Sequence, residues 1–350
     1  MRLGLRSYNP LVWALEAFGV LPAPLVVAFW GMESSRALIA AVELGLFDAL
    51  LDRPRTAAAL AADLGYDESG VEALLDALNG FGYLKRRDGV YSLRRSAKRW
   101  LTTRARFSMV RPFGLFGVLW GELDDIEERV RSGGARDFHA DRTPEFWRRY
   151  EIGLGEAARL TASSIARSVK LDSPPARLLD VGGGHGAFTA AFCERHPGLT
   201  ATVLDLPGAA AVGRELTAAR GLTDRVTYVE GDLTADDWGS GYDVVLVFNV
   251  LHVLTPEKAA DAVAKAHSAL VPGGTLAIVD AVHAEGRRGD VGAVAGGSEL
   301  LFYVINGTRA YPEATILEWV RSAGFENVRR KRLLAMPEAL ITARKADGDA

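Results

Sequence analysis

Apolar positions along the chain fall into three regimes. Residues 10–31 are almost continuously apolar, with Glu16 as the only charge. A membrane-spanning helix needs about 20 such residues, but Pro22 and Pro24 interrupt the run and Gly19 weakens it. It is also a poor match to a signal peptide, which needs a compact apolar run ending in a small-residue cleavage site. The segment is expected to form a helical arm covered by a partner subunit or by the rest of the chain. Interfacial membrane contact and a signal or anchor are the alternatives.

From Ser34 to about Thr103 the apolar residues recur at helical spacing. They predict a helix over 36–51, a short second helix capped by Thr56, and a third that starts at the cap Asp67 and ends at Gly80. Tyr83, Leu84, Val90, Tyr91 and Leu93 then flank Asp88-Gly89, a hairpin turn signal. Three helices followed by a small hairpin describe a winged helix. Residues 105–170 read as further helices, and Asp172-Ser173-Pro174-Pro175 as a linker. Beyond it short apolar runs alternate with helical stretches over about 110 residues. That alternation predicts a parallel sheet with helices on both faces, an α/β architecture.

Composition narrows the picture. The 350 residues suggest two domains, and 49% apolar with 24% charged residues is an ordinary globular balance. The net charge of −3 is far from that of a protein that coats nucleic acid. The winged helix raises DNA binding, yet its third helix carries Asp67, Glu68, Glu72 and Asp76 and no cation, although the wing is basic (Lys85, Arg86, Arg87, Arg94, Arg95). Phosphate contact needs cations on the groove-reading element, so no nucleic-acid partner is expected. The single cysteine, Cys193, excludes an intramolecular disulfide, fits a reducing cytoplasm, and reads as a small buried apolar residue. His139, His196, His267 and His283 lack metal-ligand spacing, so no metal is expected. His185 reads as a solvent-edge loop residue.

The chemistry concentrates at strand ends. Asp180-Val181-Gly182-Gly183-Gly184-His185-Gly186 follows the first strand of the α/β part, where glycines let the backbone approach a ligand and the next helix supplies oriented N–H groups. Alone, this loop does not choose between a nicotinamide and an adenosyl cofactor. The later strand ends do: Asp205, followed by Leu206, can accept both ribose hydroxyls, and Asp232, followed by Leu233, can accept from an adenine amino group. A Leu270-Val271-Pro272-Gly273-Gly274 turn precedes the fifth strand.

This ordered set resembles class I S-adenosylmethionine-dependent methyltransferases. With the winged helix in front, LLDVGGGHGAF, VLDLP, FNVLH and LVPGG resemble the small-molecule O-methyltransferases of the caffeate and hydroxyneurosporene type. The resemblance covers about Ser34 to Ala343. It implies an apolar arm (1–33), a winged-helix homodimerisation domain (34–104), a helical linker contributing to the substrate pocket (105–172) and a Rossmann-like catalytic domain (173–345). It implies S-adenosylmethionine, held by Asp180, Gly182, Gly184, Asp205, Leu206, Asp232, Leu233 and Asn249. His252 takes the place of the family's general base, and Asp280 that of the acid that orients it. Phe113, Phe116, Trp120, Phe138, Trp147, Tyr150, Phe302, Tyr303 and Asn306 are the substrate-pocket residues expected. The implied partners are a small-molecule acceptor and a second copy of the chain, without stable membrane insertion. Two features depart from the family. Val253-Leu254 stand where plant members have Asp-Trp, and no second flanking acid is found near Asn306–Arg309, where Arg309 stands closest. These departures keep two other readings beside O-methylation: cyclisation of the cofactor's aminobutyrate arm, pericyclic or hydroxylation chemistry on the same fold, and a winged-helix regulator.

Overall fold

The computed structural model describes residues 18, 20, 23–171, 174–283, 289–333 and 338–348. Most of the apolar arm and half of the Asp172–Pro175 linker therefore lie outside the described residues. The chain divides into two compact units, Met1–Gly117 and Val118–Ala350. The division falls inside one helix, well before the linker where the hydrophobic period changes.

In the first unit α1 (Ala23–Glu43) joins the end of the apolar segment to the first predicted helix without a break. Pro24 sits in its first turn, where a missing N–H costs nothing. α2 (Leu46–Ala49), β1 (Arg55–Thr56), α3 (Ala57–Leu64) and α4 (Glu68–Gly80) follow, then β2 (Leu84–Arg87), β3 (Val90–Leu93) and α5 (Arg95–Trp100). Thr56 and Asp67 cap α3 and α4 through their side chains, accepting from the N–H groups of Ala59 and Gly70. The wing strands pair across Asp88-Gly89. Arg86 of the wing folds back onto the acidic helix, with 2.8 Å to Asp76 and 2.9 Å to Glu72. Arg86 thus offsets part of the acidic charge of this helix. Along α1, Leu25, Val27, Phe29, Trp30 and Met32 are all at least half exposed. Among the described residues, no helix is long and apolar enough to cross a membrane.

α6 (Val110–Leu123) carries the division between the units. The second unit continues with α7 (Ile126–Ser132), α8 (Pro144–Ala158) and α9 (Ala162–Ser168), then a seven-stranded sheet in the order β6-β5-β4-β7-β8-β10-β9. Its strands are β4 (Arg177–Val181), β5 (Thr200–Asp205), β6 (Val226–Glu230), β7 (Tyr242–Phe248), β8 (Leu270–Ala281), β9 (Phe325–Arg332) and β10 (Glu338–Lys345). The first five are parallel, as the sequence predicts. β10 runs antiparallel to both β8 and β9, so the sheet is mixed and not purely parallel.

Alternate strand residues face two cores. Leu179, Val181, Val245, Val247 and Ile278 pack towards α12 (Pro256–Ala269) and α14 (Glu313–Ser322). Leu178, Val203, Val244, Leu246 and Val279 pack towards α9, α10 (Ala187–Arg195) and α11 (Pro207–Ala218). Continuous Val/Leu/Ile runs are what a strand buried on both faces needs. The chain leaves β4 towards β5 and β6, then returns to β7 on the other side of β4. The crevice at such a switch point, beyond the carboxyl ends of the strands, is where open α/β sheets bind ligands.

Candidate active site

The glycine loop fills that switch point. Gly182 has φ +67°, and a Cβ there would lie 2.6 Å from Val250 Cγ2. Gly184 has φ +37°, and a Cβ there would run into the Glu151 carboxylate. Both the backbone conformation and the space therefore require glycine. Asp180 is 1% exposed; its Oδ2 accepts from the Thr189 hydroxyl, and its Oδ1 has no hydrogen-bond partner among the described residues. Burial pushes its pKa up to about 7.

Asp205, the last residue of β5, is half-buried and accepts at 2.7 Å from the N–H groups of both Gly184 and Leu206. Burial outweighs these two bonds and pushes its pKa up to about 6. Glu151 of α8, which sequence reasoning missed, is 4% exposed and stands against Gly184. Burial first, then the charge of Asp205, raise it well above the ordinary range, against a bond from the His185 backbone N–H. Among the described residues, neither carboxylate has an ion-pair partner. Two buried acids beside a glycine cradle suit a ligand that carries hydroxyl donors and positive charge. S-adenosylmethionine has both, in its ribose and in its sulfonium and ammonium groups, so the residues present fit it.

Asp232 lies two residues beyond β6, exposed, with Oδ1 accepting from Thr234 N–H at 2.8 Å. Lys265 holds the same turn through the carbonyls of Leu233, Thr234 and Asp236, at 3.0 to 3.3 Å. Asn249 follows β7 with φ +58°, a left-handed conformation that Asn tolerates, and its N–H donates to Val279 O. His185 corrects the solvent-edge expectation: it is half-buried, accepts from Ala187 N–H at 3.0 Å, and burial pushes its pKa down to about 4.

His252 sits in a single 3-10 turn (Leu251–Val253) after β7, and Asp280 is the penultimate residue of β8. The parallel pairing of β7 with β8 brings the two together. His252 Nδ1 lies 2.7 Å from Asp280 Oδ1, and Asp280 Oδ2 accepts from Leu251 N–H at 2.7 Å. Both side chains are buried. An ionised carboxylate only accepts, so Nδ1 carries the proton and Nε2 is left with a lone pair. Thr308 Oγ1 donates to the His252 carbonyl at 2.5 Å. Phe302 of α13 (Gly289–Asn306) stacks on the imidazole, with centroids 4.0 Å apart. The imidazole is thus fixed by a carboxylate on one side and by a flat apolar ring on its face.

The other pocket residues separate. Phe116 lies in the first unit, 43% exposed, edge-on to Phe113 at 5.3 Å. Trp147 and Tyr150 belong to a packed aromatic cluster with Phe138, His139 and Phe146 in the second unit, Trp147 stacked on His139 and pressed over Gly208. Trp120 is half-buried on α6. Tyr303 donates its hydroxyl to Arg129 O at 3.3 Å. Asn306 is 5% exposed, and its Nδ2 has no partner among the described residues. An acid that sequence reasoning did not single out, Glu299 on α13, pairs with Arg309 at 2.7 Å and with His283 at 2.8 Å. It lies ten residues before Arg309, outside the stretch where the sequence suggested looking.

A doubly wound sheet, a glycine cradle flanked by acids and a carboxylate-held histidine define a class I S-adenosylmethionine-dependent methyltransferase. The O-methyltransferase domain model matches residues 130–326, and the O-methyltransferase dimerisation domain model residues 28–103. A 3-hydroxy-5-methyl-1-naphthoate 3-O-methyltransferase of Streptomyces sahachiroi is 32% identical over 323 residues, covering 86% of this chain and 89% of that protein. The tetracenomycin polyketide synthesis 8-O-methyl transferase TcmO of Streptomyces glaucescens is 30% identical over 331 residues, covering 92% and 95%. Among solved structures, PigF with SAH is 27% identical with a TM-score of 0.79, covering 93% of this chain and 100% of that one. The chain belongs to the O-methyltransferase family and is an S-adenosylmethionine-dependent enzyme.

Proposed function

We propose that the enzyme methylates a hydroxyl on a small aromatic natural product and works as a homodimer. The observation that carries this reading is the buried His252–Asp280 pair at 2.7 Å with Phe302 stacked on the imidazole. The two curated relatives point the same way, since their names give a hydroxynaphthoate and a tetracenomycin polyketide synthesis step. S-adenosylmethionine, when bound, supplies an electrophilic methyl carbon on a sulfonium. Asp205 and Leu206 hold the ribose side and Asp232, Leu233 and Asn249 the adenine side. The loop of Asp180, Gly182 and Gly184 admits the methionine portion, with Glu151 facing its positive charge. His252 Nε2 takes the proton of the acceptor hydroxyl, and Asp280 holds the imidazole through Nδ1–H and stabilises the resulting imidazolium. Positioning carries much of the remaining rate. The exposed apolar row on α1 lies in and beside the matched dimerisation domain and supplies the surface for a second copy.

The test is release of S-adenosylhomocysteine on incubation with a panel of hydroxylated naphthalenes and larger fused aromatics. His252→Ala should leave cofactor affinity nearly intact and lower turnover by about a hundredfold or more. Unchanged turnover would remove His252 as the base, and formation of methylthioadenosine in place of S-adenosylhomocysteine would overturn methyl transfer itself.

A further inference from the structure

A second histidine–carboxylate pair lies in a cavity that the base does not line. The cavity has a volume of about 440 Å³ and is lined by His283, Gly292, Gly296, Glu299, Leu300, Tyr303 and Arg309. That volume falls in the range of small-molecule sites. Glu299 is the organising group. Its side chain is 8% exposed, and its carboxylate accepts from His283 Nδ1 (2.8 and 3.0 Å) and from Arg309 Nε (3.2 Å) and Nη2 (2.7 Å). The buried charge of Glu299 is thus matched by Arg309. What faces outward is the remaining edge of Arg309, 61% exposed at the side chain, beside the His283 ring at 33%.

A guanidinium has five N–H groups. Glu299 engages the Nε–Nη2 side, which leaves the Nη1–Nη2 edge, a fork that matches a planar carboxylate. Anchoring on Glu299 fixes that fork before any ligand arrives, which lowers the ordering cost of binding. Chain connectivity sets this cavity beside the base. His283 is three residues beyond Asp280, Arg309 directly follows Thr308, which holds the His252 carbonyl, and Glu299 and Tyr303 share α13 with Phe302. The base and the cavity are thus joined by short stretches of chain.

We propose that Arg309, held by Glu299, forms a subsite for a carboxylate carried by the aromatic acceptor. The proposal rests on the aromatic-hydroxyl reading above and adds an anionic substituent that this chain selects for.

Binding, not turnover, tests it. Protein loaded with S-adenosylhomocysteine is titrated with 1-naphthoate and with its neutral isostere 1-naphthamide, followed by calorimetry. Naphthoate is expected to bind at least about tenfold more tightly, as one charge-assisted bidentate pair implies. Arg309→Met should erase that difference while S-adenosylhomocysteine affinity stays as in the wild type. Because Arg309→Met takes a cation away from a buried acid and can unfold the chain, Arg309→Met/Glu299→Gln is measured beside it, and the preference must be absent there too. Equal binding of the two compounds, binding of neither, or a preference that survives in the folded double variant overturns the proposal. Methyl transfer to 2-naphthol, which lacks the carboxylate, is scored separately. Its failure would count against the aromatic-hydroxyl reading, while the naphthoate titration still decides the subsite.

Discussion

Asp280→Asn asks whether the carboxylate sets the tautomer of His252. In the wild type one oxygen faces His252 Nδ1 at 2.7 Å and the other accepts from Leu251 N–H at 2.7 Å. The backbone donor is fixed, so the asparagine must turn its carbonyl oxygen to Leu251 and its NH₂ to the imidazole. Nδ1 must then accept, the ring proton moves to Nε2, and the lone pair needed by the acceptor hydroxyl is gone. General-base catalysis is worth roughly 10²–10⁴ in rate, or about 3–5 kcal/mol of barrier, and most of that should be lost. The backbone bond survives, so the fold should change by no more than about 1 kcal/mol. Single-turnover formation of S-adenosylhomocysteine at saturating cofactor reads the chemical step, and calorimetry confirms that cofactor affinity stays within about twofold, a margin well below one decade of 1.4 kcal/mol. Asp280→Glu, which keeps an acceptor for Nδ1–H, should retain more activity than Asp280→Asn. Adding His252→Ala to Asp280→Asn should cost little more than His252→Ala alone, because the pair acts as a unit. Turnover of Asp280→Asn within about threefold of the wild type, set against an expected loss of at least a hundredfold, would refute the reasoning.

Three other outcomes follow from the same geometry. The pKa of Asp205 is pushed up to about 6 by burial, so the ligand-free native state holds a proton that the unfolded chain has released. Its contribution to stability is full at low pH and declines as pH rises through about 4 to 6, whereas S-adenosylhomocysteine affinity should weaken as pH falls below about 6; melting curves and calorimetry across pH 4–8 check both signs. Glu151→Gln removes a buried acid raised by desolvation and by Asp205. The ligand-free melting temperature should rise while affinity for S-adenosylmethionine drops, and a variant that loses both would contradict the assignment. Phe29→Glu with Trp30→Glu puts charge on an apolar surface that is at least half exposed; sedimentation should show a monomer with an unchanged melting profile for the second unit.

Much of this was legible because it is local. Strand-then-helix alternation, the Thr56 and Asp67 caps, and the Asp88-Gly89 turn are written in neighbouring residues and reappear in the fold. The pairing of His252 with Asp280 followed from family resemblance and was completed by two adjacent parallel strands. What escaped was long-range or masked by polarity. β9 reads Phe-Glu-Asn-Val-Arg-Arg-Lys-Arg, which looks unlike a strand because it is the edge of the sheet, and edges carry charge to avoid pairing with other chains. Glu151 sits in an amphipathic helix where a lone acid reads as surface, and only the packing of α8 against the glycine loop buries it. Pro24 looked like an interruption of the apolar run, yet it occupies the first turn of α1. Glu299 was missed because its partners, His283 and Arg309, lie 16 and 10 residues away in sequence.

That last pairing bears on which acceptors the enzyme can take. Asp280 pairs with His252 and Glu299 pairs with Arg309, so the formal charges of Asp280, Glu299 and Arg309 sum to one negative charge. Deprotonating a hydroxyl creates negative charge at the base, and like charges in a low-dielectric site oppose it. Arg309 therefore lowers the electrostatic cost of forming the phenolate, and it does so without leaving Glu299 as a bare buried charge. The same arithmetic governs an acceptor that already bears a carboxylate. Two acids would repel it, whereas one acid facing the base and a second neutralised by a guanidinium leave a cationic edge for it to meet. Pairing Glu299 with a guanidinium thus keeps a buried carboxylate that holds His283 and leaves one edge of Arg309 for an anion to meet.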